Sequence, residues 1–169
     1  MIRKIFIPKK YVKDIFNIDY EKLKRDGYKI LIFDLDNTIG SIKENTCDKE
    51  TSDFLNSLNK DFKVIIASNS RKKRVNEFCS NLNVYKMHLS LKPLGIILWK
   101  IKKKYNINYK EMVIIGDQLM TDIFLGNRYK LLTILVDKKG ENDLNITKFN
   151  RALENRIKKK YNMKVGEYF

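Results

Sequence analysis

Apolar residues in this chain gather into four short runs, Ile30–Phe33, Val64–Ala67, Met112–Ile115 and Leu131–Val136. Each is rich in Ile, Leu or Val and too short for a helix, and its apolar positions are continuous rather than alternating. That pattern predicts strands covered on both faces. Between them lie segments with helical spacing of apolar positions: Asp48–Asn59, Arg71–Leu82, Pro93–Tyr105, Met120–Tyr129 and Ile146–Tyr161. A weaker fifth strand is expected at Tyr85–Leu89. Asp48 or Thr51 is placed to cap the first of these helices, and Asn145 or Thr147 the last. Pro93 suits a first helical turn, where no N–H donor is needed. Strands alternating with helices predict an α/β fold with a doubly wound parallel sheet.

The length of 169 residues, 43% of them hydrophobic, fits one domain spanning 1–169 with a substantial core. With only seven Gly and two Pro thinly spread, nothing marks a flexible linker or a low-complexity tail. The net charge of +15 draws the chain toward polyanions: nucleic acid, an anionic membrane or a phosphate-bearing substrate. The abundance of Lys, Asn, Ile and Tyr also fits the drift of an AT-rich genome, which would leave much of that charge as solvated surface. Cys47 and Cys79 are too few for a disulfide framework or a zinc site and fit free thiols in a reducing compartment. The amino-terminal segment lacks a signal-peptide core, and no run approaches the roughly 20 apolar residues of a membrane span. The expected location is therefore the cytoplasm, with any membrane contact made from one side.

Three of the strands end in polar residues. The first runs into Asp34-Leu35-Asp36-Asn37-Thr38, the second into Ser68-Asn69-Ser70, and the Met112 strand into Gly116-Asp117 and on to Asp122. Ligands of open α/β sheets bind beyond the carboxyl ends of the strands, so these segments converge on one crevice. Asp34 and Asp36, two residues apart in extended chain, face a common ligand, and their like charges call for a cation. Asp117 and Asp122 add the oxygens that Mg²⁺ takes. A lone Asp is often no more than a helix cap; four at converging strand ends are not.

These residues resemble the motifs of the haloacid dehalogenase (HAD) superfamily: Asp34-Leu-Asp36-Asn-Thr38, Ser68, Lys92, and Gly116-Asp117 to Asp122. The resemblance implies a Rossmann-like core and a phosphatase in which Asp34 is the nucleophile and Asp36 the general acid and base. It also implies Mg²⁺ on Asp34, the Asp36 main-chain carbonyl and Asp117, with Asp122 behind them. Thr38, Ser68, Asn69 and Lys92 would surround the phosphate. Lys92 stands out from many lysines only because Leu91-Lys92-Pro93-Leu94 opens a helix between the second and fourth motifs. Arg71, Lys72, Lys73 and Arg74 fit a mostly solvated helix start.

Only 33 residues separate Asp34 from Ser68, and 23 separate Ser68 from Lys92. Helices and strands consume both intervals, so the enzyme is expected to be capless with an open site suited to a phosphate on something large. Within this capless group, subclass IIIA, the chain is similar to the YqeG-like branch and the mitochondrial phosphatidylglycerophosphatases. The residues that carry this are Tyr11 to Ile18, Arg74-Val75, Lys92-Pro93-Leu94-Gly95, Gly126-Asn127-Arg128 and Phe149-Asn150-Arg151. Ser70 and the Gly40-Ser-Ile-Lys segment depart from the branch. The implied reaction is dephosphorylation of phosphatidylglycerophosphate at the inner face of a membrane. The alternatives are the same chemistry on a nucleic-acid end, a phosphoprotein or a small phosphoester, or a catalytically idle binding module. Phe149, Leu153, Ile157 and Tyr161 form an apolar stripe flanked by Lys and Arg. It suits either a helix packed on the sheet or one lying on an anionic membrane. His88 and Trp99 are expected at core or boundary positions.

Overall fold

The computed structural model describes residues 4–92, 94–140 and 145–167, the side chains of 145–149 excepted. Six parallel strands form one sheet: β1 (Lys10–Val12), β2 (Ile30–Phe33), β3 (Lys63–Ala67), β4 (Tyr85–Met87), β5 (Met112–Gly116) and β6 (Leu132–Val136), in the order β1-β6-β5-β2-β3-β4. The helices are α1 (Tyr20–Arg25), α2 (Lys49–Leu58), α3 (Lys72–Phe78), α4 (Ile96–Tyr105), α5 (Phe124–Arg128) and α6 (Asn145–Lys160). The expected α/β, Rossmann-like architecture is therefore present.

The continuous apolar runs have the expected cause. Successive side chains of a strand point to opposite faces, so Leu31 and Phe33 join the core beneath α2 and α3 with Leu55, Val75 and Phe78. Ile30 and Ile32 join the opposite core with Ile97, Leu98 and Leu125 from α4 and α5. From β2 the chain winds outward through β3 and β4, then returns to β2's other side with β5 and β6. The switch point lies between β2 and β5, the sites of Asp34 and Asp117. Register keeps the strand ends level, with Phe33 opposite both Ile66 and Ile115.

Local signals account for several boundaries. Asp48 caps α2, its carboxylate accepting from the Thr51 amide and hydroxyl, both at 2.8 Å. The α3 helix ends before the expected Leu82 because the chain tightens into turns, with Ser80 N–H donating to Glu77 O at 3.2 Å and Leu82 N–H to Cys79 O at 3.1 Å. The helix expected from Pro93 begins at Ile96 after Gly95, whose φ is 83°. A side chain at Gly95 would collide with the Tyr129 hydroxyl; Pro93 itself lies outside the described residues. The predicted Met120–Tyr129 helix divides into a π-helical turn, Leu119–Ile123, followed by α5. The caps expected at Asn145 or Thr147 fall outside the described side chains.

Two elements, β1 and α1, carry no apolar run. Each buries one side chain, Tyr11 and Leu23 respectively. The outer edge of β1 is covered by the chain's own tail, for Tyr11 N–H donates to Glu167 O at 3.0 Å and Gly166 N–H to Tyr11 O at 2.7 Å. Pairing an edge in this way removes a template for aggregation. The stripe of α6 packs on the sheet: Ile157 is buried, and Leu153 and Tyr161 pack against the cluster of Tyr11, Leu119, Ile123 and Leu135. Phe149 lies outside the described side chains. Both cysteines are free and buried, and desolvation pushes their thiols up, Cys47 to about 12 and Cys79 to about 11. The structure corrects the expectation for two residues, since His88 is exposed and Trp99 is 56% exposed on α4. Trp99 falls on a face of α4 that the sheet does not cover, so helical spacing alone misassigned it.

Candidate active site

The carboxyl ends of β2, β3 and β5 bring together the residues singled out in the sequence. Asp34 continues β2, its amide donating to Ile115 O at 2.9 Å, and it is 7% exposed. Lys92 is equally buried. Its ammonium lies 2.6 Å from Asp34 Oδ1 and 2.8 Å from Asp122 Oδ1, bridging the two carboxylates. Asp122 reaches this position because Gly116 lies beneath it: a Cβ at Gly116 would come within 2.3 Å of the Asp122 carboxylate. The π-helical turn supplies the rest of the placement, turning Asp122 back over the end of β5.

Asp117 is buried as well. Thr38 Oγ1 donates to its Oδ1 at 3.2 Å, so the Thr38 hydroxyl is directed at Asp117, and Thr38 is absent from the cavity lining. On its other side Asp117 is ion-paired with Arg151 of α6, which also donates to the Asp117 main-chain carbonyl at 2.9 Å and to Glu154 at 2.9 Å. Glu154 in turn accepts from the Met120 amide at 3.0 Å, tying α6 to the π-helical turn. In the sequence Arg151 stood out only within the resemblance segment Phe149-Asn150-Arg151 and as one flank of an amphipathic helix, with no role assigned at the site. A basic residue three positions before a carboxylate on a helix was the available signal, too common in this chain to single it out.

Asp36 occupies different ground at the rim. Its Oδ2 accepts from the Ser70 hydroxyl at 2.6 Å, and Ser68 Oγ lies 3.5 Å away. Its Oδ1 accepts from Arg74 at 3.0 Å. Arg74 is therefore no solvated residue, unlike its exposed neighbours Arg71, Lys72 and Lys73. Asn69 lines the cavity, but its amide holds a loop: Oδ1 accepts from Ser90 Oγ at 2.9 Å and from the Lys92 amide at 3.0 Å. The open cavity over these groups has a volume of about 740 Å³ and is lined by Asp34, Asp36, Ser68, Asn69, Ser70, Arg71 and Lys92, with Thr121 and Asn150 among the rest.

The electrostatics of the floor are unbalanced. Asp34, Asp117, Asp122 and Glu154 are all buried, and the cations that contact them, among the described residues, are Lys92 and Arg151. Fully ionised, the set carries a surplus of two negative charges. Burial, reinforced by Asp122 and Asp117, holds the Asp34 carboxyl well above its ordinary range against the pull of Lys92. Burial likewise raises Asp117, against Arg151. Desolvation works against the Lys92 ammonium, but Asp122 and Asp34 outweigh it and keep the charge on. Asp34, Asp117 and Asp122 each offer an oxygen within 4.8 Å of the others. A buried acidic cluster with a surplus of two charges fits a divalent cation with oxygen ligands.

A family model described as mitochondrial PGP phosphatase matches residues 1–139. The chain belongs to that family. It is 35% identical over 158 residues to the probable phosphatase YqeG of Bacillus subtilis (strain 168), a match covering 93% of this chain and 92% of that protein. It is 28% identical over 146 residues to the chloroplastic/mitochondrial phosphatidylglycerophosphate phosphatase 1 of Arabidopsis thaliana, covering 80% of this chain and 42% of that one. The fold is shared with a putative HAD superfamily (subfamily III A) hydrolase from Legionella pneumophila, at a TM-score of 0.52 and 16% identity over 88% of this chain and 98% of that one. This member is a phosphatase, a phosphoric monoester hydrolase. Between Asp36 and Lys92 its phosphatase core holds α2, β3, α3 and β4 and no inserted cap among the described residues. No helix among them is long and apolar enough to cross a membrane.

Proposed function

We propose that residues 1–169 form one phosphatase domain that removes the phosphate of phosphatidylglycerophosphate at the cytoplasmic face of a membrane, leaving phosphatidylglycerol, through an aspartyl phosphate on Asp34. The observation that carries the reading is the Lys92 bridge: a buried ammonium fixes one oxygen of Asp34 at 2.6 Å beneath an open cavity. An oxygen held in this way is positioned to attack phosphorus, splitting one hard hydrolysis into two easier steps. Lys92 also offsets charge on the phosphoryl group as the bond to the lipid oxygen breaks. Asp36, steadied by Ser70 and Arg74, gives its proton to that departing oxygen. It then takes one from the water that attacks the acyl phosphate, which restores Asp34 and frees phosphate.

Asp34, Asp117 and the main-chain carbonyl of Asp36 would hold Mg²⁺, which when bound neutralises charge on the phosphoryl oxygens. The surplus negative charge of the pocket supports this assignment. Asp122 holds Lys92 from behind, Thr38 orients Asp117, and Ser68 contacts the phosphate, while Asn69 serves it by ordering the Lys92 loop. The absence of an inserted cap between Asp36 and Lys92 suits a phosphate borne on a large substrate, and membership of the PGP phosphatase family supports a lipid in that place.

Phosphate release from phosphatidylglycerophosphate in mixed micelles tests the reading, beside a soluble phosphoester and a phosphorylated oligonucleotide. Release from the lipid is expected to stop with EDTA and to fall by at least about a thousandfold in Asp34→Asn. Mg²⁺ is also expected to raise the melting temperature of the wild type more than that of Asp34→Asn. Release confined to the soluble ester or the oligonucleotide would keep the chemistry and overturn the lipid.

A further inference from the structure

Seven large apolar side chains are exposed among the described residues, and five of them, Leu89, Leu91, Leu94, Ile96 and Trp99, fall within eleven consecutive positions around Lys92. Their exposures run from 45% to 59%. The backbone beneath them is unusual. Leu89 and Leu91 have φ of 44° and 47°, a left-handed conformation that is strained for leucine. The twist alternates the loop's side chains: Ser90 and Lys92 turn in and are buried, while the two leucines turn out. The loop is also pinned, with the Leu89 amide donating to Ser70 O at 3.1 Å and the Lys92 amide to Asn69 Oδ1 at 3.0 Å. The apolar side chains are thus presented on a fixed rim beside the cavity.

We infer that this rim is a lipid-docking face, its leucines, Ile96 and Trp99 entering the surface of an anionic bilayer while Lys92 stays in the cavity beside them. The inference rests on the reading of a lipid-borne substrate given above and names the surface that would deliver it. Charge selects the occupant. Lys100 and Lys103 are exposed beside Trp99, with the Lys103 ammonium 5.3 Å from its ring, and Arg71 lines the adjoining cavity. An apolar strip bordered by lysines, on a chain of net charge +15, fits the boundary between acyl chains and anionic headgroups. A second copy of the chain would set these lysines against one another. Nucleic acid would need a platform of rings, and four of the five side chains are aliphatic.

Trp99 is the only tryptophan in the chain, so its emission reports the rim directly. With vesicles of phosphatidylcholine and phosphatidylglycerol, the emission is expected to shift to the blue and to be quenched by lipids brominated on their acyl chains. L89N/L91N is expected to weaken vesicle binding by roughly tenfold or more, yet to hydrolyse the soluble ester within about twofold of wild type. It should lose no thermal stability, because Asn adopts left-handed backbone more readily than Leu. L94Q/I96Q, on the helical side of the rim, repeats the test with ordinary backbone. An unshifted Trp99, undiminished binding in both variants, or a dimer in light scattering that both variants abolish would overturn the docking face. These vesicles contain no phosphorylated substrate. Failure to dock with intact turnover of micellar lipid therefore sinks the face alone, and docking without lipid turnover sinks the substrate and leaves the face.

Discussion

Asp34 and Asp36 are two residues apart and hold their cations under different conditions. Asp34 and its partner Lys92 are both nearly sealed from solvent, with side-chain exposures of 9% and 3%, and Lys92 is shared with a second buried carboxylate. Asp36 and Arg74 are more open, with side-chain exposures of 16% and 21%, and Ser70 gives Asp36 a further hydrogen bond. A buried charge that loses its partner has no water to turn to, whereas one at a rim does. The floor of the site should therefore bear on folding and chemistry together, and the rim chiefly on chemistry.

Lys92→Met is the most severe way to break the comparison. It would leave Asp34 and Asp122 side by side with Arg151 as the remaining cation in contact with the cluster among the described residues, and breaking a buried pair of this kind costs about 3–5 kcal/mol. Urea unfolding is expected to show that loss, and turnover to fall below detection. The deficit has a pH signature. Burial and like charge already raise Asp34 above its ordinary value of 3.8, and without Lys92 it rises further. A raised carboxyl binds its proton more readily folded than unfolded, so its protonated form contributes stability at low pH that is lost as pH climbs through the folded value. The variant should lie closer to wild type at pH 5 than at pH 8, and a deficit independent of pH would contradict the buried-cluster account.

Arg151→Met strikes the same floor from α6. It removes the ion pair to Asp117 and the bond to Glu154, expected to cost about 2–3 kcal/mol, less than Lys92 because Arg151 is 15% exposed. Groups that orient a metal-binding carboxylate typically carry 10–100-fold in metal affinity or activity. Apparent Mg²⁺ affinity, measured by titration of the melting temperature, should fall in that range. An unaltered affinity would make Arg151 a structural strap only.

The contrast also explains what was visible in the sequence. The floor could be read from β2, β3 and β5, because strands buried on both faces must be apolar throughout and the polar residues that end them stand out. Lys92 was legible only through its place in a family motif. Arg74 and Arg151 were marked by the family resemblance, but their roles as partners of Asp36 and Asp117 were not legible, because a chain with 35 Lys and Arg offers many basic residues at helical positions and only tertiary packing selects among them. The same holds for β1 and α1, whose single buried side chains leave no periodic trace. Trp99 was misplaced for the opposite reason: its spacing fits an apolar stripe, but α4 buries Ile97, Leu98 and Ile101 and leaves Trp99 exposed.

Arg74→Gln sharpens the comparison from the mild side. Arg74 also donates to Ser41 O at 3.1 Å and lies 5.1 Å from the centre of the Phe78 ring, so a glutamine keeps part of the contact while the charge is lost. An ion pair only partly open to water, at 21% and 16%, is expected to contribute about 1–2 kcal/mol, and Asp36 retains Ser70. Stability should fall less than in Lys92→Met. Turnover should fall by roughly tenfold or less, below the 10²–10⁴ that a positioned acid and base contributes, with the fall in kcat and little in KM. If Arg74→Gln instead destabilised the fold as much as Lys92→Met, the two aspartates would belong to one buried network and the division between floor and rim would fail.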